Sequence, residues 1–204
     1  MIFVLTVLAC QEYTIYEPPE VPPAEPPGLP EQGFGDPPNW NDCLEGWHGR
    51  YNNLTVDHPD VNPAPDAPIP TDPDALDWWD DLTYDQFEPG LDFGTNWWPV
   101  DEGLKEDPSY FAAHWVAWLR AWDDTTLEFT LGSSDDSWVI LNNDIIAELP
   151  GVHGFDQQTW AVDVDSGQYP ITIRYAHRQA GSGFRFRVIS GDVSLCYPDF
   201  GTGE

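Results

Sequence analysis

The sequence predicts an all-β domain, and two observations carry that prediction. Between Thr126 and Leu131 polar and apolar residues alternate with a period of two, which is typical of a half-buried strand. The 204 residues include 21 prolines and 17 glycines, and no long segment shows a helical period. This composition favours a loop-rich β architecture over a helical one. At this length we expect one domain of about 150 residues with additional segments.

A loop and a hairpin are predicted directly after the alternating segment. The loop covers residues 132–137, which are glycine, serine and aspartate. Residues 138–141 are apolar throughout, so we expect a strand that is covered on both faces. Asn142 and Asn143 tolerate positive φ and predict a turn, after which residues 145–149 run back.

Further strands are predicted from the same period of two. They cover residues 111–122, 159–164, 169–175 and 184–188. Residues 74–107 instead resemble acidic loops that carry aromatic side chains. Those aromatic side chains have two interpretations, as a satellite core that caps the domain or as a platform on which sugar rings stack.

The charge of the chain excludes nucleic acid as a partner. Its 36 acidic and 7 basic residues give a formal net charge of −29, whereas phosphate contacts need clustered lysine and arginine. Such a surface is well solvated in salt. Four of the basic residues are crowded near the end of the chain, at Arg174, Arg178, Arg185 and Arg187. We expect them to form intramolecular ion pairs, with an acidic ligand as the alternative.

The first forty residues predict an exported, anchored protein. Residues 1–9 form an apolar segment too short to span a bilayer, and its end resembles the bacterial lipobox, in which Cys10 would carry lipid. An ordinary secretory signal is the alternative. Residues 10–40 are expected to form a tether, because nine prolines between Pro18 and Pro38 favour a stiff, extended chain.

The central segment resembles a known family. Asp135-Asp136, the apolar strand after them, the Asn142-Asn143 turn and residues 151–154 (Gly-Val-His-Gly) are similar to the fibro-slime branch of the protective-antigen-type domains. The opening segment at residues 46–53 and the closing hairpin at residues 175–184 resemble the same family. The resemblance implies a single antiparallel β-sandwich of jelly-roll type over residues 41–198, followed by a short tail of residues 199–204.

The resemblance also places two cysteines near the ends of the sandwich. If Cys10 carries lipid, Cys43 and Cys196 are left to pair, where the first and last strands of a sandwich would be neighbours. The alternative is two unpaired buried thiols. A disulfide would imply an oxidising compartment and a protein displayed at the cell surface or outer membrane.

The resemblance further implies a calcium site. In the calcium-dependent lectins of this family, a cis peptide joins the aspartate pair and turns both carboxylates onto one ion. Here Asp135 and Asp136 would hold the ion, with oxygens from Gln179 and Ser182 in a second loop. Family members often carry an acidic residue where His177 stands, so weaker binding is expected. The alternative is that both aspartates satisfy loop amides.

Residues near the aspartates are the predicted ligand contacts. Trp138 would stack on a sugar, while His153, His177 and Arg178 would supply hydrogen bonds. His153 has a second interpretation, as a histidine that packs its own loop.

The sequence therefore predicts a binding protein rather than an enzyme. The leading hypothesis is a cell-surface lipoprotein whose calcium-assisted module binds carbohydrate in adhesion or matrix attachment. A structural or protein-interaction module of the envelope is the alternative, and a glycosidase that uses a carboxylate pair is a third hypothesis. Hydrolase and phosphate-binding motifs are absent from the sequence.

Overall fold

The computed structural model describes residues 36–55, 58, 75, 84–95, 97, 110–178 and 181–198. The predicted signal segment, the predicted lipidation site at Cys10, most of the predicted tether and the tail of residues 199–204 lie outside these ranges. No helix in the described part of the chain is long and apolar enough to cross a membrane.

The described residues form an all-β fold, which confirms the predicted class. The strands are β1 (Cys43–Leu44), β2 (Trp47–Asn53), β3 (Tyr84–Glu88), β4 (Leu91–Thr95), β5 (Phe111–Ala121), β6 (Thr125–Ser133), β7 (Ser137–Leu141), β8 (Asp144–Leu149), β9 (Asp156–Val164), β10 (Gly167–His177), β11 (Gly183–Ser190) and β12 (Val193–Pro198).

The strands form two antiparallel sheets. The larger has eight strands in the order β1-β12-β5-β10-β7-β8, with β2 and β3 added beside β5. Strands β2 and β12 share one edge of β5, since β2 pairs with its first half and β12 with its last residues. The smaller sheet has the order β4-β11-β6-β9. The long strand β5 therefore organises the larger sheet from one end of the domain to the other.

The core lies between the two sheets, as expected of a sandwich. Large rings cross from one sheet to the other: Trp115 on β5 lies 4.5 Å from Phe184 on β11, measured between ring centroids. Trp47 on β2 packs edge-on against Phe186 at 5.5 Å. Aliphatic side chains fill the remaining space, and burying them supplies the main stabilisation of the fold.

The predicted hairpin is confirmed, and the segment predicted as acidic loops contains two strands. Asn142 and Asn143 both have positive φ, at 51° and 73°, which is the turn geometry that joins twisted strands most easily. Strands β3 and β4, in contrast, lie in the segment predicted as acidic loops. Phe93 and Trp97 stack at 4.0 Å and pack against the core. Of the two interpretations of these aromatic residues, the described ones therefore favour the satellite core.

The predicted disulfide between Cys43 and Cys196 is confirmed. It joins β1 to β12, and the two Cα atoms lie 5.7 Å apart. The bridge closes a segment with a sequence separation of 153 residues, so it constrains nearly the whole domain.

His114 is a buried titratable group in the middle of β5. Its neighbours Ala113 and Trp115 face the core, so His114 lies on the opposite face of the larger sheet. Burial, aided by the positive charges of Arg174 and Arg50, lowers the pKa of His114 from its ordinary 6.5 to about 3. The imidazole is therefore neutral in the folded protein over most of the acidic range.

This pKa predicts a loss of stability on acidification. Between pH 6.5 and about 3 the unfolded chain holds a proton on His114 that the folded chain lacks, so stability falls as the pH falls. The slope from this group approaches roughly 1.4 kcal/mol per pH unit. We expect His114→Gln to unfold with a shallower pH dependence than the wild type, measured as urea midpoints from about pH 7 to about pH 5. If stability changes with pH equally in the two proteins, the lowered pKa of His114 is contradicted.

Candidate functional site

The two aspartates lie in the loop between β6 and β7, and both are buried. The peptide bond between them is trans, so the predicted cis bond is wrong. The chain turns instead through Asp135, which has a φ of 67°, in the left-handed region that aspartate tolerates better than most residues. The turn is held by the hydroxyl of Ser133, which donates to the carbonyl oxygen of Asp135 at 2.8 Å.

The turn brings both carboxylates into one cluster of donors. In Asp135, Oδ1 accepts the N–H of His153 at 3.0 Å and Oδ2 accepts the N–H of Arg178 at 2.8 Å. In Asp136, Oδ1 accepts the N–H of Gly151 at 2.7 Å, and Oδ2 lies 2.9 Å from Nε of Arg178. Each of the four carboxylate oxygens therefore faces a nitrogen of this chain.

The contact between Asp136 and Arg178 is a buried ion pair. Their side chains are 0% and 1% exposed. The two groups meet at ion-pair distance without the alignment of a good hydrogen bond, so Coulomb attraction dominates the contact. Burial raises the pKa of Asp136 above its ordinary value, and Arg178 and the amide of Gly151 offset part of that rise.

A second buried contact involves His177. Its Nδ1 lies 3.1 Å from Oδ2 of Asp135, and both side chains are almost fully buried. The imidazole also packs on Phe111, with 5.4 Å between the ring centroids. The aspartate pair is thus enclosed by its partners and by aromatic rings.

These partners do not fit a calcium ion. Calcium takes six to eight oxygen ligands, and the described residues contain no converging group of three His, Cys, Asp or Glu side chains. The guanidinium of Arg178 lies against Asp136, where a divalent cation would meet a like charge. Arg178 therefore supplies a positive charge at the place where the resemblance implied a calcium ion.

Of the other two predicted calcium ligands, Ser182 alone lies within the described residues. Ser182 is fully buried, but its hydroxyl donates to the carbonyl oxygen of Trp97. Gln179 lies outside the described residues. The hydroxyl of Ser134 donates to the carbonyl oxygen of Gly181 at 2.9 Å, which ties the aspartate loop to the segment before β11.

Three of the predicted ligand contacts are corrected by their burial. Trp138 is 0% exposed and packs with Leu54, Ala112 and Ala176, so its ring cannot stack on a sugar from solvent. His177 and Arg178 are 0% and 2% exposed, and both contact the aspartates. The structure therefore assigns all three residues to the internal architecture of this end of the sandwich.

The fourth, His153, belongs to the Gly-Val-His-Gly loop. Its ring nitrogens lie 2.8 Å from the carbonyl oxygen of Gly154 and 3.4 Å from that of Leu149, which favours the interpretation as a packing histidine. The loop has a clear role, because the amides of Gly151 and His153 hold the two aspartates. These contacts favour the alternative that both aspartates satisfy loop amides, although the sequence did not show that the Gly-Val-His-Gly loop supplies two of those amides.

The comparisons with known proteins were made by sequence and by structure. A scan against protein-family models and a search of curated proteins both found no match. Among solved structures, the A domain of Epithelial Adhesin 9 from Candida glabrata, in complex with Galβ1-4GlcNAc, is similar with a TM-score of 0.51. The two sequences are 13% identical, and the match covers 82% of this chain and 95% of the adhesin domain. The two proteins share a fold.

Two further solved structures are similar to this chain at a comparable level. A subtype-switched Epithelial Adhesin 9 to 1 A domain from Candida glabrata, in complex with β-lactose, matches with a TM-score of 0.50, 15% identity and coverages of 81% and 93%. An anti-sigma factor domain-containing protein matches with a TM-score of 0.52 and 16% identity, over 80% of this chain and 50% of its own. At these identities the similarity establishes the fold alone.

Proposed function

We propose that this chain is a carbohydrate-binding module that attaches a cell surface to neighbouring glycans. The observation that supports this most directly is its fold, which it shares with adhesin domains solved with Galβ1-4GlcNAc and β-lactose. The resemblance of the aspartate and Gly-Val-His-Gly motifs to the fibro-slime branch of the protective-antigen-type family supports the same class. The Cys43–Cys196 disulfide supports an exported location.

The state of the acidic pair favours binding over catalysis. A carboxylate pair that hydrolyses a glycoside must reach the glycosidic bond, with one group positioned to donate a proton. Asp135 and Asp136 are 1% and 0% exposed, and backbone amides and Arg178 surround them. Their role in this proposal is to hold the loops at one end of the sandwich in place.

The same geometry leads us to infer that glycan binding does not require calcium at the aspartate pair. The positive charge beside Asp136 is already provided by Arg178. We therefore expect calorimetric titration of the full chain with calcium chloride to give no saturable heat from this pair. A stoichiometric site that disappears in Asp136→Asn would instead restore the predicted calcium ligand.

A glycan array tests the proposed function. The full chain would be applied to neutral and acidic glycans, including Galβ1-4GlcNAc and lactose, once with added calcium and once with a chelator. We expect binding to neutral glycans that is equal in the two conditions. Binding that is lost in the chelator contradicts the calcium-independent mechanism. The absence of any glycan signal contradicts the function and favours a structural module of the envelope, and turnover of chromogenic glycosides would show an enzyme.

A further inference from the structure

A pocket of about 520 Å³ lies at the opposite end of the sandwich from the aspartates. It is formed where the turn of residues 38–41 and β1 meet the end of β5 and β12. The carbonyl oxygen of Asp136 accepts the N–H of Ala176, which pairs with Ala112 at one end of β5, whereas the pocket lies near Trp122 at the other end. The two sites are therefore separated by most of the length of β5, about 30 Å. The volume is within the range of small-ligand sites.

Two tryptophans and an arginine form the wall of this pocket. The guanidinium carbon of Arg120 lies 3.6 Å from the ring centroid of Trp122 and 5.7 Å from that of Trp40. Within the described residues no carboxylate lies within ion-pair distance of Arg120, although the chain carries 36 acidic residues. Aromatic rings therefore position this guanidinium, whose N–H groups are donors suited to a ligand's oxygen atoms.

The aromatic rings are held in fixed positions. The indole N–H of Trp40 donates to Oε1 of Gln168 at 2.6 Å, and that of Trp122 donates to Oγ of Ser194 at 3.1 Å. The Cys43–Cys196 bridge lines the pocket and fixes β1 against β12. A site whose side chains are already ordered loses little conformational entropy when a ligand binds.

The pocket combines exposed aromatic surface with polar groups. Trp122 is 48% exposed, so part of its ring is available to the apolar C–H face of a sugar. Asn41, Glu45 and Ser194 also line the pocket and provide hydrogen-bond donors and acceptors for hydroxyl groups. The lining contains one positive side chain, Arg120, and one negative side chain, Glu45, so its formal charge is balanced, and the net charge of −29 disfavours a polyanionic ligand.

We propose that this pocket, built around Trp122, Arg120 and Trp40, binds a neutral sugar residue of the glycan. The inference rests on the proposed carbohydrate-binding function and assigns that function a site. It also places recognition at the end of the domain where the predicted tether joins the fold, away from the aspartate pair. Sugar stacking on Trp122 and hydrogen bonds from Arg120 are the interactions that carry the binding.

Calorimetric titration of the full chain tests the site with Galβ1-4GlcNAc and its sialylated form as probes. We expect Trp122→Ala to weaken binding of the neutral probe by about tenfold or more, the loss typical of removing a tryptophan anchor. Arg120→Gln is expected to weaken binding without removing a ring. In the wild type, the indole N–H resonance of Trp122 should shift as the neutral probe is added.

Phe155→Ala is the matched control. Phe155 is an aromatic residue, 38% exposed, at the aspartate end of the sandwich, and we expect its removal to leave the affinity unchanged. If both pocket variants bind the neutral probe with the wild-type affinity, or if only Phe155→Ala loses binding, the pocket is not the binding site, while the proposed function stands. Tighter binding of the sialylated probe overturns the neutral ligand class. A wild type that binds no array glycan overturns the proposed function and the pocket with it.

Discussion

Replacing Arg178 by methionine is expected to lower the free energy of unfolding by about 3–5 kcal/mol, because Asp136 would stay buried without its charged partner. The pKa of Asp136, which burial already raises, should rise further when the guanidinium is removed. Urea unfolding of the full chain at neutral pH, followed by tryptophan fluorescence, measures the loss.

Two further variants separate the ion pair from the loss of an arginine side chain. Arg187→Met removes an exposed arginine on β11 and is expected to change stability by less than about 0.5 kcal/mol. Asp136→Asn combined with Arg178→Met completes a double-mutant cycle. We expect the double variant to lose less unfolding free energy than the sum of the losses in Asp136→Asn and Arg178→Met. A loss in Arg178→Met no larger than that in Arg187→Met would show that the pair has no structural role.

Replacing both bridge cysteines, Cys43 and Cys196, by serine is expected to lower the free energy of unfolding by about 5 kcal/mol. The magnitude follows from the loop of 153 residues that the bridge closes, since the unfolded chain gains conformational freedom when the bridge is lost. The measurement is urea unfolding of the double variant beside the wild type, with and without reductant.

The bridge substitution has a control and a functional consequence. Cys10→Ser removes the cysteine outside the bridge and should leave the unfolding midpoint unchanged. The wild type should lose stability in reductant, whereas the double variant should be insensitive to it. Because the bridge lines the proposed sugar pocket, the double variant should also bind glycans more weakly at temperatures where it remains folded. A double variant within about 1 kcal/mol of the wild type would contradict the expectation.

The elements that could be predicted from the sequence are those with local signals. Strand β6 shows alternation, β7 is a short apolar run, and Asn142-Asn143 has the residue type that a tight turn needs. In these cases the information lies within a few residues of the feature. The pairing of Cys43 with Cys196 is predicted differently, because the family resemblance places each cysteine near an end of the domain.

The remaining features depend on residues far apart in the chain. Strands β3 and β4 carry acidic residues and are short, so their partners in the sheets, rather than their own pattern, make them strands. Arg178 lies 43 residues from Asp135, and only the meeting of β7 with β10 brings them together. The surroundings of the aspartate pair depend on the same contact, because the sequence shows the two acids without the guanidinium of Arg178 that lies against Asp136.

The pocket around Trp122 depends on the same kind of long-range contact. Trp40 lies at the end of a proline-rich segment, and Arg120 lies on the face of β5 opposite the core. Neither residue has a neighbour in sequence that indicates a binding site. Trp40 and Gln168 are joined by a hydrogen bond although they are 128 positions apart in the sequence.

The Cys43–Cys196 bridge also has a mechanical consequence. It closes the chain between Cys43 and Cys196 into a covalent ring. The chain before Cys43 and the chain after Cys196 leave this ring from two Cα atoms that are 5.7 Å apart. A pulling force applied to those two segments would pass through the sulfur bridge, without loading the hydrogen bonds between the strands. The sheets would therefore keep their length under tension while the outer segments extend. The turn of residues 38–41 lies before Cys43 and outside this ring, so tension would load the hydrogen bond from Trp40 to Gln168 and open the proposed pocket before it disturbs the sheets.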